Sequence, residues 1–178
     1  MTSDPTLDDL IEELRGAWAH TDALWLDLDD DEIRWRPHEQ SSAIGWHLGH
    51  QAAVAHHMVR NLLAAEPSPD AELDSLMDSA TPEAARGDLP GVDRLLRYRT
   101  AVADRVVARV DAVRAGAVGA PDQLLVVAGV VVRAIVNHEY QHDQWIGEVR
   151  SRDLGRALPD PPASPNLTVI DGYTVLRP

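Results

Sequence analysis

The chain has 178 residues, of which 44% are hydrophobic, and a formal net charge of −13 at pH 7. This length suits one domain with a substantial core, and the acidic charge disfavours a phosphate backbone, so we exclude nucleic acid as a partner. The sequence has neither a run of about eighteen apolar residues nor a basic start followed by a hydrophobic stretch, so we expect no membrane span and a cytoplasmic location. Because the chain contains no Cys, His, Asp and Glu remain as candidate metal ligands.

The first half of the chain predicts two long helices. Thr6 is a plausible N-cap for a helix in which apolar residues recur at helical spacing over residues 7–28. Residues 29–40 are acidic and then turn-like, and a second helix is predicted over residues 43–65. One apolar stripe of the second helix contains Ile44, Leu48, Ala55, Met58 and Leu62, and the neighbouring stripe contains His47, His50, Val54 and His57.

The second half predicts two further helices and a hairpin. Residues 66–91 contain several Pro and Gly with one short helical turn at 71–77, and their length fits a crossover connection. Helices are predicted over residues 92–113 and 121–152, the latter opening on a Pro in its first turn. In the tail, β-prone residues flank Asp171-Gly172, a turn dipeptide that favours a β-hairpin.

Together these elements predict an all-α fold: a four-helix bundle with a long crossover between its second and third helices and a short C-terminal β-hairpin. We assign residues 1–155 to the bundle and residues 156–178 to a Pro-rich tail. Since an isolated hairpin is only marginally stable in water, this one is expected to pack on the bundle or on a second subunit.

Two histidines, at positions 138 and 142, dominate the fourth helix. His138 and His142 lie one turn apart on one helix face, so their imidazoles can converge on one ion. The same face carries the seam Leu124, Ala128, Val131, Ile135, Trp145 and Val149, which directs both histidines into the core. A buried imidazole needs a partner, so the alternative to a metal is a pair of structural histidines bonded to carboxylates or backbone.

The second helix offers a third ligand. At a rise of about 1.5 Å per residue, His57 lies about 10 Å along the axis from His50, too far for both to bind one ion at about 2 Å. His50 or His47 is therefore the candidate, and His57 is left to face the substrate or the solvent.

With these helices and histidines, the chain resembles the DinB-like superfamily of four-helix metal proteins. The resemblance covers about residues 5–152, and its motifs are Trp46-His47-Leu48-Gly49-His50 and His138-x-x-x-His142, with Gln144 shortly after. It implies that His50, His138 and His142 hold one divalent metal ion. Zinc, nickel and iron all suit three imidazoles. His47, Glu139, Gln144 and His57 are then expected around the site, where they support the ligands or face the substrate.

The resemblance also implies a reaction. Members of this superfamily include mycothiol- and bacillithiol-dependent transferases and isomerases, in which the metal holds a thiol cosubstrate as a thiolate. Three protein ligands leave a coordination position open, as in a catalytic site. With no Cys of its own, this protein would borrow a low-molecular-weight thiol. We therefore expect a metal-dependent thiol transferase or isomerase that acts on a small electrophilic molecule.

Two other functions compete with this expectation. Residues 138–142 read H-E-x-x-H, the signature of zinc proteases with the Glu as general base, but the longer form of that motif needs Gly at 145 and His at 148, where this chain has Trp145 and Glu148. The other alternative is a non-catalytic bundle that binds a metal or a small ligand. Whichever function applies, we expect a homodimer, because acidic bundles with apolar seams often self-associate.

Overall fold

The computed structural model describes residues 4–62, 65–82, 86, 88–117 and 121–177, and of Leu62 and Pro121 it describes only the backbone. The helices are α1 (Leu7–Trp25), α2 (Asp30–Arg34), α3 (Ile44–Leu62), α4 (Ala71–Leu76), α5 (Val92–Arg114) and α6 (Pro121–Glu148), followed by a π-helical turn (Val149–Asp153) and the strands β1 (Leu167–Ile170) and β2 (Tyr173–Leu176). The four long helices form the bundle, and the predicted all-α fold with a C-terminal hairpin is confirmed.

The helices α3 and α6 occupy the middle of the bundle. The most extensive packing is between α1 and α6, between α3 and α5, and between α3 and α6. Fully buried residues such as Leu48 on α3 and Ile135 on α6 belong to one continuous hydrophobic core. The crossover from α3 to α5 contains α4, whose Leu73 is also fully buried. The two helices that carry the predicted ligands therefore face each other directly.

The structure corrects the first loop. Residues 29–40 were expected to be turn-like, but α2 forms within them and α1 ends at Trp25 rather than near Leu28. Asp29 starts α2 with a capping box: its carboxylate accepts from the backbone N–H of Glu32 at 2.9 Å, and Glu32 Oε2 accepts from the N–H of Asp29 at 3.1 Å. The D-x-x-E pattern that specifies such a start was present in the sequence.

The predicted hairpin pairs Leu167 with Leu176 and Ile170 with Tyr173 in antiparallel register. Its turn residues Asp171 (φ 51°) and Gly172 (φ 88°) both lie in the left-handed region that a type I′ turn requires. The hairpin packs on α6, where the backbone N–H of Leu176 donates to the side-chain oxygen of Asn137 at 2.8 Å. Among the described residues, no helix combines the length and apolar character needed to cross a membrane.

Candidate metal centre

Three histidines meet where α3 packs against α6. His50 comes from α3, and His138 and His142 come from successive turns of α6. One ring nitrogen from each lies within 4.8 Å of the other two. We call these three residues the histidine cluster. The apolar seams of both helices direct the three imidazoles inward, and His142 is only 4% exposed.

The nitrogen spacing inside the cluster suits a metal ion. Nε2 of His138 and Nε2 of His142 lie 3.1 Å apart. Two nitrogens bound to one tetrahedral ion at about 2.0–2.1 Å are separated by about 3.3 Å. The two imidazoles thus already have nearly the separation that a shared ion would impose.

The ring of His50 is oriented by a backbone carbonyl. Its Nδ1 lies 2.8 Å from the carbonyl oxygen of Met77, which can only accept, so Nδ1 carries the proton and donates it. A neutral His50 therefore keeps its lone pair on Nε2, free to bind a metal. Metal-binding histidines commonly use such a carbonyl to fix their tautomer, so this contact fits the role.

Trp46 fixes the same ring by stacking. Its indole lies parallel to the His50 imidazole, with ring centroids 4.6 Å apart and an interplanar angle of 12°. The guanidinium carbon of Arg86 lies 4.0 Å from the centroid of the indole, within the range of a cation–π interaction. The Trp46 indole therefore contacts both the His50 imidazole and the Arg86 guanidinium.

The glycine between the two motif histidines makes room for Met77. A Cβ at Gly49 would lie 2.5 Å from Sδ and Cε of Met77 and 2.7 Å from its Cγ, and Met77 is fully buried. We expect Gly49→Ala to displace Met77 and to lower the free energy of unfolding by about 1–3 kcal/mol. Urea unfolding measures this change.

Gly16 provides the matched control for this prediction. It is exposed on α1, and a Cβ there would meet nothing within 4 Å. Gly16→Ala should therefore be neutral or stabilising by up to about 1 kcal/mol, because alanine is the better helix former. If Gly49→Ala had no larger effect on stability than Gly16→Ala, the close packing of Met77 on α3 would be contradicted.

The histidines at the centre are neutral. Burial lowers the pKa of His47 to about 3, that of His138 to about 4 and that of His142 to about 2. Burial also lowers the pKa of His50. Neutral imidazole is the form that binds a metal, so the lone pairs are available at neutral pH.

This neutrality predicts a pH-dependent stability for the metal-free protein. Unfolded His titrates near pH 6.5, so at pH 4–6.5 the unfolded chain binds more protons at His138 and His142 than the folded chain does. The free energy of unfolding should therefore fall as the pH falls through this window, by at most about 1.4 kcal/mol per pH unit for each group. Urea unfolding in the presence of a chelator measures the slope. The double variant His138→Ala/His142→Ala should show a shallower slope, and equal slopes would refute the prediction.

His47 lies beside the cluster and not within it. Its Nδ1 is 2.8 Å from Nδ1 of His142, whereas His138 approaches the Nε2 edge of the same ring. Of the two candidates for a third ligand on α3, the structure therefore places His50 with the pair on α6. His47 is 7% exposed and also packs against Trp145, with ring centroids 5.5 Å apart.

Two other predicted site residues lie at the surface. His57 is exposed, and its ring is hydrogen-bonded to the side chain of Asn61 one turn along α3. Gln144 is exposed and reaches Glu148 at 3.4 Å. Neither belongs to the histidine cluster. His57 does line a cavity of about 320 Å³ that reaches His50 from the side of α4.

Glu139 belongs to a different, fully buried polar group. It was expected around the site, supporting the ligands or facing the substrate; it follows a ligand candidate in the chain but is only 1% exposed, so it does not face a substrate. Its Oε2 accepts from Thr21 at 3.1 Å and from Arg99 at 3.4 Å. The Thr21 hydroxyl, which has a single proton, also lies 2.9 Å from Asp143 Oδ1, and the Gln51 amide donates to Asp143 at 3.0 Å. We call these five residues the polar network.

The polar network stands directly behind the histidine cluster. Gln51 follows His50 in the chain, Glu139 follows His138, and Asp143 follows His142. Adjacent residues of an α-helix point about 100° apart, so one set faces the candidate metal position while the other bonds α3 and α6 to α1 and α5. Burial raises the pKa of Glu139 and raises that of Asp143 well above its ordinary value. The sequence analysis did not identify Gln51, Asp143 and Arg99. The polar residue that follows each ligand histidine could have indicated two of them, Gln51 and Asp143.

A cleft of about 520 Å³ opens beside the cluster. We call it the histidine cleft; its walls include Trp46, His47, His50, His142, Trp145 and Arg152. Two indoles make much of the wall apolar, and Arg152 lines it with its guanidinium bonded to Asp153. A small molecule in this cleft would contact both His50 and His142.

Comparison with known proteins identifies the family of the chain. No curated protein gives a significant match to the chain. At the level of families, the DinB superfamily matches residues 13–146, about three quarters of the chain's 178 residues. The matched range contains the whole histidine cluster and all five residues of the polar network. The chain therefore belongs to the DinB superfamily.

Proposed function

We propose that this protein is a metal-dependent thiol transferase or isomerase, in which His50, His138 and His142 hold one divalent ion and a low-molecular-weight thiol of the mycothiol type is the cosubstrate. The observation that carries this proposal is the convergence of three neutral imidazole nitrogens within 4.8 Å beside a cleft large enough for a small molecule. Zinc, nickel and iron remain the candidate ions, because imidazole suits each of them.

The donor set supports an open site. Three protein nitrogens leave at least one coordination position for an exogenous ligand, and the histidine cleft gives that ligand access. When bound, a divalent ion in such a site lowers the pKa of a thiol and so supplies a nucleophile at neutral pH. Since the chain contains no Cys, the thiol has to come from a second molecule.

The residues that line the cleft would bind the electrophile. Trp46 and Trp145 offer apolar faces that exclude water from a bound electrophile, and Arg152, whose guanidinium is bonded to Asp153, also lines the cleft. In the proposed reaction the thiol releases its proton to solvent, its sulfur forms a bond to the electrophilic carbon, and the carbon's bond to the leaving group breaks, so that this group departs with the electron pair. With an activated alkene, the neighbouring carbon takes up a proton instead, and loss of the thiol afterwards yields the isomer.

An activity assay tests the proposal directly. Protein loaded with zinc, nickel or iron is mixed with mycothiol and either an aryl halide or a cis-unsaturated diacid, and loss of the electrophile is followed. We expect turnover that needs both metal and thiol and that is absent from the His138→Ala/His142→Ala variant. Metal binding without turnover on any electrophile would instead indicate the non-catalytic binding bundle.

The zinc-protease alternative is not supported by the position of Glu139. A general base has to reach the water that attacks the substrate, within about 3 Å. The Glu139 carboxylate is instead bonded to Thr21 and Arg99 in the core. Peptidase activity that disappears in Glu139→Gln, a variant that keeps the side-chain shape, would reverse this conclusion.

A homodimer is part of the proposal. Val126 and Val130 are 70% and 65% exposed, one turn apart on α6, and two such side chains on one helix face favour contact with another apolar surface. Light scattering at several concentrations measures the mass. A monomer at all of them would remove the dimer from the proposal without affecting the metal site.

A further inference from the structure

Both ring nitrogens of His142 contact another histidine. Its Nε2 faces His138 at 3.1 Å, and its Nδ1 faces Nδ1 of His47 at 2.8 Å. The two nitrogens of an imidazole lie on different edges of the ring, so His47 contacts the edge turned away from the histidine cluster. At 7% and 4% exposure, both His47 and His142 are largely buried, at the wall of the histidine cleft.

The donor and the acceptor of the His47–His142 hydrogen bond follow from the number of protons that two neutral imidazoles carry. A hydrogen bond between two imidazole nitrogens needs one N–H and one lone pair. If Nε2 of His142 gives its lone pair to a metal, the single proton of the neutral ring must be on Nδ1. His47 Nδ1 then has to accept that proton, and the proton of His47 itself is on its Nε2.

We propose that His47 is a positioning residue for His142: it accepts the hydrogen bond from Nδ1 and thereby fixes the tautomer that presents the Nε2 lone pair to the metal. The inference rests on the metal site proposed above. Under this inference two of the metal ligands are oriented by different groups: His50 by the backbone carbonyl of Met77 and His142 by the imidazole of His47.

The surroundings of His47 hold it in this role. Its ring makes an edge contact with Trp46 at 5.2 Å between centroids and a tilted contact with Trp145 at 5.5 Å. Trp145 also packs perpendicular to the ring of His142, at 4.9 Å and 88°. The two imidazoles are thus fixed relative to each other by the same indole, which favours an orienting function over a role as a mobile group.

The test compares two substitutions of His47 in the full-length protein. In His47→Asn the side-chain oxygen can take the place of Nδ1 as acceptor, whereas His47→Leu fills similar space without an acceptor. Loss of a partner that orients a metal-binding His typically weakens metal affinity about 10–100-fold. We expect that loss for Zn²⁺ and Co²⁺ in His47→Leu, measured by competition with a chelating dye, and affinity close to wild type in His47→Asn.

The spectrum of bound Co²⁺ separates orientation from general stability. We expect the absorption bands of His47→Leu to shift from those of wild type and the bands of His47→Asn to match them. His56→Leu is the control, because His56 is another buried histidine of α3, 2% exposed, whose Nδ1 accepts from Arg105 at 3.2 Å outside the cluster. It should leave affinity and spectrum unchanged. Equal losses in His47→Leu and His47→Asn, or no loss in either, would overturn the proposal.

Nitrogen NMR of the wild-type protein gives an answer that does not depend on whether a variant folds. Two-bond ¹H–¹⁵N couplings identify which nitrogen of each histidine carries its proton. In the zinc-loaded protein we expect His142 protonated at Nδ1 and His47 protonated at Nε2. Protonation of His142 at Nε2, or a wild-type protein that binds no metal, would overturn the inference, whereas metal binding without thiol transfer would overturn only the proposed reaction.

Discussion

Replacing His142 with alanine is expected to abolish stoichiometric metal binding. His142 lies between His138 at 3.1 Å and His47 at 2.8 Å, so its loss removes one of three donors together with both of these contacts. Protein purified without added metal or chelator should contain about one equivalent of zinc, nickel or iron, the content of a site with three histidine ligands. The His142→Ala variant, prepared in parallel, should contain almost none. Elemental analysis measures both.

Two variants of α3 test which histidines bind the metal. His50→Ala should lose metal as His142→Ala does, because one of its nitrogens belongs to the cluster. His57→Ala is the matched control from the same helix, since His57 is exposed and bonded to Asn61. Metal retained by His142→Ala, or lost equally from all three variants, would contradict the proposed ligand set. Absence of metal from wild type even after reconstitution would leave the three histidines as buried polar residues.

The main features of the fold could be predicted because they depend on local patterns. The apolar spacing of the long helices, the Pro at the start of α6 and the Asp-Gly turn are each specified within a few residues. The capping box of α2 was equally local and was overlooked. The π-helical turn at 149–153 has no comparable local signal, and its Arg150 bonds instead to the carbonyl of Leu24, far away in sequence.

The site was predictable only where it depends on spacing within one helix. His138 and His142 could be paired from their spacing, but which α3 histidine joins them depends on how α3 is rotated against α6, and that is a tertiary property. The orienting contact of His50 is with a backbone carbonyl, which any residue provides, so Met77 carries no sequence signal. Arg99 reaches the polar network from α5, and a lone Arg on a helix is most often exposed.

Replacing Arg99 with leucine is expected to destabilise the protein strongly. The guanidinium is 8% exposed and donates to the carbonyl of Leu48 at 2.9 Å, to Gln51 at 3.0 Å and to Glu139 at 3.4 Å. Its removal leaves the buried Glu139 carboxyl group without its paired cation. Breaking a buried ion pair from one side typically lowers the free energy of unfolding by about 3–5 kcal/mol. Urea unfolding of the metal-free protein measures the change.

A double-mutant cycle separates the charge interaction from lost packing. Glu139→Gln removes the charge paired with Arg99 and keeps the side-chain shape, so Arg99→Leu should cost less in that background, by about 0.5–3 kcal/mol of coupling. Arg15→Leu is the surface control: Arg15 pairs with Glu12 on α1 with side chains 52% and 70% exposed, and its loss should change stability by at most about 1 kcal/mol. If Arg99→Leu cost no more than Arg15→Leu, the polar network would not be what fixes α3 and α6 against α1 and α5. The orientation of the three histidines would then have to come from the apolar core alone.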